Sequence, residues 1–317
     1  QPSMDPSPLR GLVAAPHTPF DRDGGLRLEI VERQADALAE SGVGGVFIGG
    51  STGEFASLTI QERHALTARW IEVAHPVGLK VVVHVGGTQV EAGEELARGA
   101  EEAGADAIAA LAPHYYKPRD TDELVSCCQR LVRGAPSTPF YYYDIPAMTG
   151  VQVPLLEFAE EARKELPTFY GVKYTSADLM VLQELLARGD LDVLHGTDET
   201  LLAGLGLGVR GAVGSTYNLA PGVYLRLARA FNDGELETAR LEQRRSVELV
   251  RTLLPFGFVP AARAAMTLVD VDVGPARLPW LPLDETTRGD LRTRLESIGF
   301  FEWRLAPELS AQGAVAW

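Results

Sequence analysis

The stretch Leu12-Val13-Ala14-Ala15-Pro16-His17-Thr18-Pro19 decides between the two architectures open to this chain. Four apolar residues read as a short buried strand, and the turn after them is built around two prolines. A doubly wound dinucleotide-binding sheet would more readily start with a glycine-rich turn here, where the backbone must approach a pyrophosphate. Residues 16–19 contain no glycine. Seven further apolar runs follow, at 45–48, 81–85, 107–111, 140–143, 169–173, 192–195 and 211–214. Between them lie segments with apolar residues at helical spacing, such as Ile30, Ala37 and Leu38, then Leu96, Ala97 and Ala100, then Leu182, Leu185 and Leu186. Glycine-bearing turns, Glu40-Ser41-Gly42 and Glu102-Ala103-Gly104, would stop a helix before the next strand. Eight strand–helix units within the first 220 residues predict an α/β fold of the (β/α)8 TIM-barrel type.

Beyond Ala220 the alternation stops. Helical patterns cover 223–231, 236–254, 259–269 and 284–297, with the proline-rich piece 274–282 as a linker. Asp284 suits an N-cap, but Thr287 rather than Glu stands at N3, so only half of a capping box is present. The expected division is a barrel catalytic domain over 1–220 and a C-terminal helical extension over 221–317 packed on it.

The chain has 317 residues and a formal net charge of −14. That charge repels a phosphate backbone and an anionic membrane surface, so neither nucleic acid nor membrane is an expected partner. An anionic substrate would have to be met locally, by a cation or by backbone N–H groups. No apolar run approaches a membrane span. Residues 1–10 lack the features of a signal peptide, so a cytoplasmic location is expected. Cys127 and Cys128 are adjacent in a helical stretch and read as reduced thiols, not a disulfide.

Barrel enzymes place their chemistry at the C-terminal ends of the strands. There the sequence puts Gly49-Gly50-Ser51-Thr52-Gly53-Glu54 after the second strand, Tyr143 at the end of the fifth and Lys173 at the end of the sixth. Gly196, Asp198 and Glu199 follow the seventh, and Ser215, Thr216, Tyr217 and Asn218 the eighth. Only four lysines occur against twenty-five arginines, and Lys173 alone closes an apolar run. A lysine desolvated in a barrel mouth is a nucleophilic amine, and arginine cannot replace it in a Schiff base. A structural lysine paired with a carboxylate is the alternative. The loop at 49–54, expected to lead into a helix, offers free N–H groups and two hydroxyls to a carboxylate or phosphate, or is a plain turn. Tyr141 and Tyr143 share a side of their strand, and the Tyr143 hydroxyl could shuttle a proton or simply pack. Asp198 and Glu199 could accept hydrogen bonds from substrate hydroxyls or begin a helix. His84 and His195 read as satisfied core histidines, and no His, Cys, Asp or Glu set has metal-ligand spacing. The glycines at 204, 206 and 208 follow a helix and precede a strand, which suits a C-cap turn and not a phosphate loop.

Taken together, Gly-Gly-Ser-Thr-Gly-Glu at 49–54, Tyr-Asp-Ile-Pro-Ala-Met-Thr-Gly at 143–150, Gly-Val-Lys-Tyr-Thr at 171–175 and Gly-Ser-Thr-Tyr-Asn at 214–218 resemble the pyruvate-dependent class I aldolases. That family includes N-acetylneuraminate lyases and dihydrodipicolinate synthases, and the tyrosine, Gly-Thr-Asp-Glu and Gly-Ser-Thr-Tyr-Asn motifs are most similar to the lyase branch. The resemblance implies a reversible cleavage of N-acetylneuraminate to N-acetylmannosamine and pyruvate, with no cofactor beyond an imine on Lys173 and no metal. It implies that Ser51 and Thr52 hold the pyruvate carboxylate and that Tyr143 moves the proton of the C4 hydroxyl. Thr175, Gly196, Asp198, Glu199 and Ser215 would contact the polyhydroxy tail. Tyr115 would pack into a neighbouring subunit's site, in a homotetramer. Synthases carry an arginine two positions after the proline of the tyrosine motif; here Met148 stands there. Tyr174, Ala177, Phe55 and Ala56 depart from the pattern. Other readings are the same chemistry on another 2-keto-3-deoxy sugar acid, or a catalytically silent sugar-binding barrel.

Overall fold

The computed structural model describes residues 9–305 and 317. Eight parallel strands close into a barrel in sequence order. They are β1 (Gly11–Ala14), β2 (Gly45–Ile48), β3 (Lys80–His84), β4 (Ala107–Ala110), β5 (Phe140–Asp144), β6 (Phe169–Tyr174), β7 (Asp192–His195) and β8 (Gly211–Gly214). Closure is made by β1 on β8, with Gly11 opposite Gly211 and Ala14 opposite Gly214. The expected barrel is therefore present, with strand ends shifted by one residue where pairing extends further than the apolar run. β6, for instance, continues through Tyr174, which pairs with Asp144 and His195, so Lys173 is the penultimate residue of its strand.

Side-chain alternation divides the apolar residues into two cores. Inside the barrel, Val13, Phe47, Val82, Ala109, Tyr141, Tyr143, Leu194 and Val213 pack together. Between strands and helices a larger core includes Trp70, Phe140, Tyr142, Phe158, Phe169 and Tyr224. Tyr141 and Tyr143 thus do share a side, with Tyr142 on the other.

The helix stops fall where the glycines stand. Helix Glu29–Glu40 ends before Gly42 (φ 87°), and Val90–Ala103 ends on Gly104 (φ 92°). Two local expectations change. Gly204 and Gly206 lie within helix Leu201–Leu207, and only Gly208 (φ 108°) makes the capping turn. The 49–54 loop does not run straight into a helix. A 3-10 turn at Phe55–Ser57 intervenes, and Thr59 then caps Ile60–Ala74 in a full capping box with Glu62.

After β8 come helices Pro221–Asn232, Leu236–Leu253, Phe258–Leu268, Glu285–Ser297 and Phe300–Trp303. Asp284 caps the fourth of these by accepting from Thr287 N at 2.7 Å. Among the described residues no helix is long and apolar enough to cross a membrane. Cys127 and Cys128 are free thiols, and burial pushes both pKa values up.

Candidate active site

Lys173 points into the barrel because alternation along β6 sends Val172 and Tyr174 outward into the helix-facing core. Its side chain is almost enclosed, with the residue 5% exposed. Nζ lies 3.7 Å from the centroid of the Tyr143 ring and 4.3 Å from that of Phe47. The two rings meet edge to face at 5.6 Å. The amine is thus held between two aromatic faces rather than against a carboxylate.

The loop after β2 lines the same mouth as this amine. Gly49 (φ 61°) and Glu54 (φ 55°) both adopt left-handed backbone, which for Glu54 costs on the order of 1–2 kcal/mol. Ser51 Oγ is 3.4 Å from the Tyr143 hydroxyl. Thr52 Oγ1 is 2.5 Å from Ser215 Oγ, a bond that joins the loops after β2 and β8, the two strands that flank β1.

Thr175 and Gly196 are adjacent on the rim. Thr175 Oγ1 is buried without a hydrogen-bond partner, and a Cβ at position 196 would stand 2.0 Å from it. Asp198 is buried below them. Its Oδ2 accepts from Thr216 N at 2.9 Å and Thr216 Oγ1 at 2.5 Å. The Thr216 hydroxyl also bonds the Tyr224 hydroxyl, which reaches Ser246 Oγ at 2.9 Å on helix Leu236–Leu253. Burial raises the Asp198 carboxyl to about 6. Oδ1 fits against residue 214 only because that residue is glycine: a Cβ there would stand 2.0 Å away.

The structure therefore brings Ser51, Thr52, Tyr143, Lys173, Thr175, Gly196, Asp198, Glu199 and Ser215 to one mouth. Tyr115 is not among them. It is 75% exposed on the loop after β4 and stacks edge to face on Tyr116, itself 87% exposed. Among the described residues no three His, Cys, Asp or Glu side chains could together hold a metal ion.

Several residues in or beside this mouth were not visible as site residues in the sequence. His84 is satisfied as expected, but its partners matter: Nδ1 is 2.8 Å from Gly49 O, and Leu111 N donates to Nε2 at 3.4 Å. Those two bonds fix a neutral tautomer. His195 is satisfied on one side only, by Thr200 Oγ1 at 3.0 Å, and its Nδ1 is buried without a partner. His17 lines the mouth fully buried, and burial lowers its pKa to about 3. Glu54 forms a buried ion pair with Arg263 of helix Phe258–Leu268, at 2.7 Å. Burial pushes the Glu54 carboxyl up, opposed by that guanidinium, and lowers Arg263 to about 10. A partner 209 residues away in sequence leaves no local signal.

The sequence profile described as the dihydrodipicolinate synthetase family matches residues 8–298. The chain belongs to that family. Among family members, N-acetylneuraminate lyase from Gallus gallus is 38% identical over 296 residues, covering 92% of this chain and 96% of its own. The structure of Proteus mirabilis N-acetylneuraminate lyase superposes with a TM-score of 0.90 at 34% identity, covering 92% of this chain and 99% of its own. A dihydrodipicolinate synthase from Bacillus anthracis superposes with a TM-score of 0.85 at 25% identity, covering 91% and 98%. In this member of the dihydrodipicolinate synthetase family the mouth is a cavity of about 710 Å³. Its far wall comes from the helical tail, through Val250, Leu254, Phe258 and Trp280. Exposed Met148 stands on its rim, so the rim carries no cation at that position.

Proposed function

We propose that this chain is a Schiff-base, pyruvate-dependent aldolase that cleaves N-acetylneuraminate to N-acetylmannosamine and pyruvate, reversibly. The observation that carries the reading is the enclosure of the Lys173 amine beside the Tyr143 ring, in one mouth with the loop bearing Ser51 and Thr52. Its support is the match to the lyases of this family over more than nine-tenths of the chain.

In this mechanism the Lys173 amine adds to the C2 carbonyl of the keto acid and water leaves, giving a protonated imine. Ser51 and Thr52 hold the neighbouring carboxylate through hydroxyl and backbone N–H groups. Tyr143 takes the proton of the C4 hydroxyl as the C3–C4 bond breaks. The electron pair of that bond moves into the imine, leaving an enamine on Lys173 and releasing the aldehyde of N-acetylmannosamine. Protonation at C3 and attack of water then free pyruvate and the amine. No cofactor or metal takes part in this scheme.

Thr175, Gly196, Asp198, Glu199 and Ser215 are assigned to the polyhydroxy tail. Carboxylates accept from hydroxyl donors, and with Met148 on the rim the mouth suits an uncharged amino-sugar aldehyde better than a second carboxylate. Tyr115, exposed and outside the lining of its own mouth, is assigned to the site of a neighbouring copy in a homotetramer. The division into a barrel over 1–220 and a helical extension over 221–317, and a cytoplasmic location, belong to the same reading.

The test is borohydride reduction in the presence of pyruvate, followed by peptide mass mapping, alongside pyruvate release from N-acetylneuraminate. A reduced pyruvyl adduct on Lys173 with release from N-acetylneuraminate is expected. An adduct with release only from another 2-keto-3-deoxy sugar acid would move the substrate, and no adduct on folded protein would leave a sugar-binding barrel.

A further inference from the structure

Four contacts converge on the six-residue loop that shares its mouth with Lys173. Gly49 O faces His84 Nδ1 at 2.8 Å, and Gly53 O accepts from Thr18 Oγ1 at 2.6 Å. Glu54 Oε1 accepts from Arg263 Nη1 at 2.7 Å and Glu54 Oε2 from Arg277 N at 3.0 Å. Arg263 Nη2 also donates to Thr18 O at 2.8 Å, so the two residues that grip residues 53 and 54 grip each other. Two further donors of Arg263 go to Val273 O at 2.6 Å and Gly274 O at 3.0 Å. The guanidinium is thereby fixed from both sides, and all of it is buried.

This arrangement exceeds what tying the tail to the barrel requires. An ion pair serving adhesion alone could join any two faces. Here it ends on a residue held in left-handed backbone, two positions from Thr52, in the turn that carries Ser51 and Thr52 into the mouth they share with Lys173. A glycine would take that backbone at no steric cost. Glutamate at position 54 is useful only for what its carboxylate holds.

We propose that Glu54 and Arg263 are positioning residues for the carboxylate end of the keto-acid pocket, with Thr18 completing the clamp. Arg263, which does not line the mouth, thus sets affinity for the keto acid through the loop. The proposal rests on the keto-acid reading of this mouth.

The experiment compares E54Q, R263K and T18V with the unaltered protein. A distant control is R226K, which alters a partly buried ion pair of the tail, Arg226 with Glu242, that has no bond to the loop. Two constants are measured in the condensation direction: the pyruvate concentration that half-saturates borohydride trapping at Lys173, and the KM for N-acetylmannosamine. Melting temperature is followed in parallel. In E54Q and R263K the half-saturating pyruvate should rise roughly tenfold or more, the scale on which a small misplacement of a binding group acts. T18V, which removes one hydroxyl and keeps the side-chain shape, should raise it about threefold or more, and KM for the aldehyde should stay within about twofold. R226K should lower melting temperature and leave both constants alone. Unchanged pyruvate saturation in T18V overturns the proposal even if E54Q and R263K do not fold. So does a parallel rise of both constants that follows melting temperature across all four variants. No adduct in the unaltered protein overturns the keto-acid reading and the clamp together, whereas normal trapping with unshifted variants overturns the clamp alone.

Discussion

Tyr143 and Lys173 are direct partners across the β5–β6 pairing, so the ring and the amine are set side by side by main-chain register. That register brings Nζ to 3.7 Å from the ring centroid. K173R should keep the cation between the Tyr143 and Phe47 rings, and with it the fold, yet a guanidinium forms no stable imine. The expected outcome is an unchanged melting profile with no borohydride-trapped adduct and no turnover. Lys164→Ala, at an exposed site paired with Glu160 and Glu161, should turn over normally. Normal turnover in K173R would dismiss the Schiff base.

Y143F removes one hydroxyl and leaves the ring in place. If that hydroxyl moves the C4 proton, cleavage should slow on the order of a hundredfold or more. Trapping of pyruvate on Lys173 should persist, because imine formation with pyruvate involves no C4 hydroxyl. A loss confined to trapping, with cleavage unaffected in single-turnover measurements, would reverse the assignment.

Asp198 should give substrate binding an acidic limb. Its carboxyl is raised to about 6 by burial, so it is ionised above that pH and gains a proton below it. KM for the sugar acid is expected to rise as pH falls through about 6, and D198N should flatten that limb. For stability the sign is opposite. The folded state binds the extra proton between the ordinary carboxyl value and about 6, so this group alone lowers stability as pH rises through that window.

His17 acts on stability the other way. Its folded pKa is lowered from 6.5 to about 3, so below 6.5 the unfolded chain binds a proton that the folded chain excludes. Stability from this group is complete above 6.5 and declines as pH drops towards 3. H17N should flatten the dependence of unfolding free energy on pH by about 1.4 kcal/mol per pH unit within that window. Denaturant titrations between pH 4 and 7 measure it, and an unaltered slope would contradict the burial of a neutral ring.

Gly214→Ala should strain the same corner from the backbone side. The new methyl would stand 2.0 Å from Asp198 Oδ1 and 2.7 Å from Tyr217 Cζ. A loss of about 1–3 kcal/mol is expected, as for other overpacked sites, together with a higher KM for the sugar acid.

The barrel was legible because short apolar runs and glycine stops repeat at a regular interval, and because strand ends are local events. Ser51, Tyr143, Lys173, Asp198 and Ser215 were legible for the same reason: each follows or ends a run that could be located on its own. Glu54 stood in plain view as the last letter of a motif, but its partner Arg263 lies on a helix of the tail, and nothing within either segment names the other. His17 carries no signal within its own segment, since only the closed barrel buries it. The limits of β6 were missed by one residue because Tyr174 is held by pairing with Asp144 and His195, not by apolar character alone.

Closure of the sheet by β1 on β8 also governs how the chain is made. Residues 11–14 find their second neighbour only in residues 211–214. Until the ribosome has released that stretch, β1 carries one open hydrogen-bonding edge, and each newest strand carries another. Such edges, and the slow formation of contacts so distant in sequence, are hazards of a nascent chain and not of the finished enzyme. Truncation just before β8 should therefore cost far more in solubility than its length suggests, because it would leave a cylinder with a slit from rim to base.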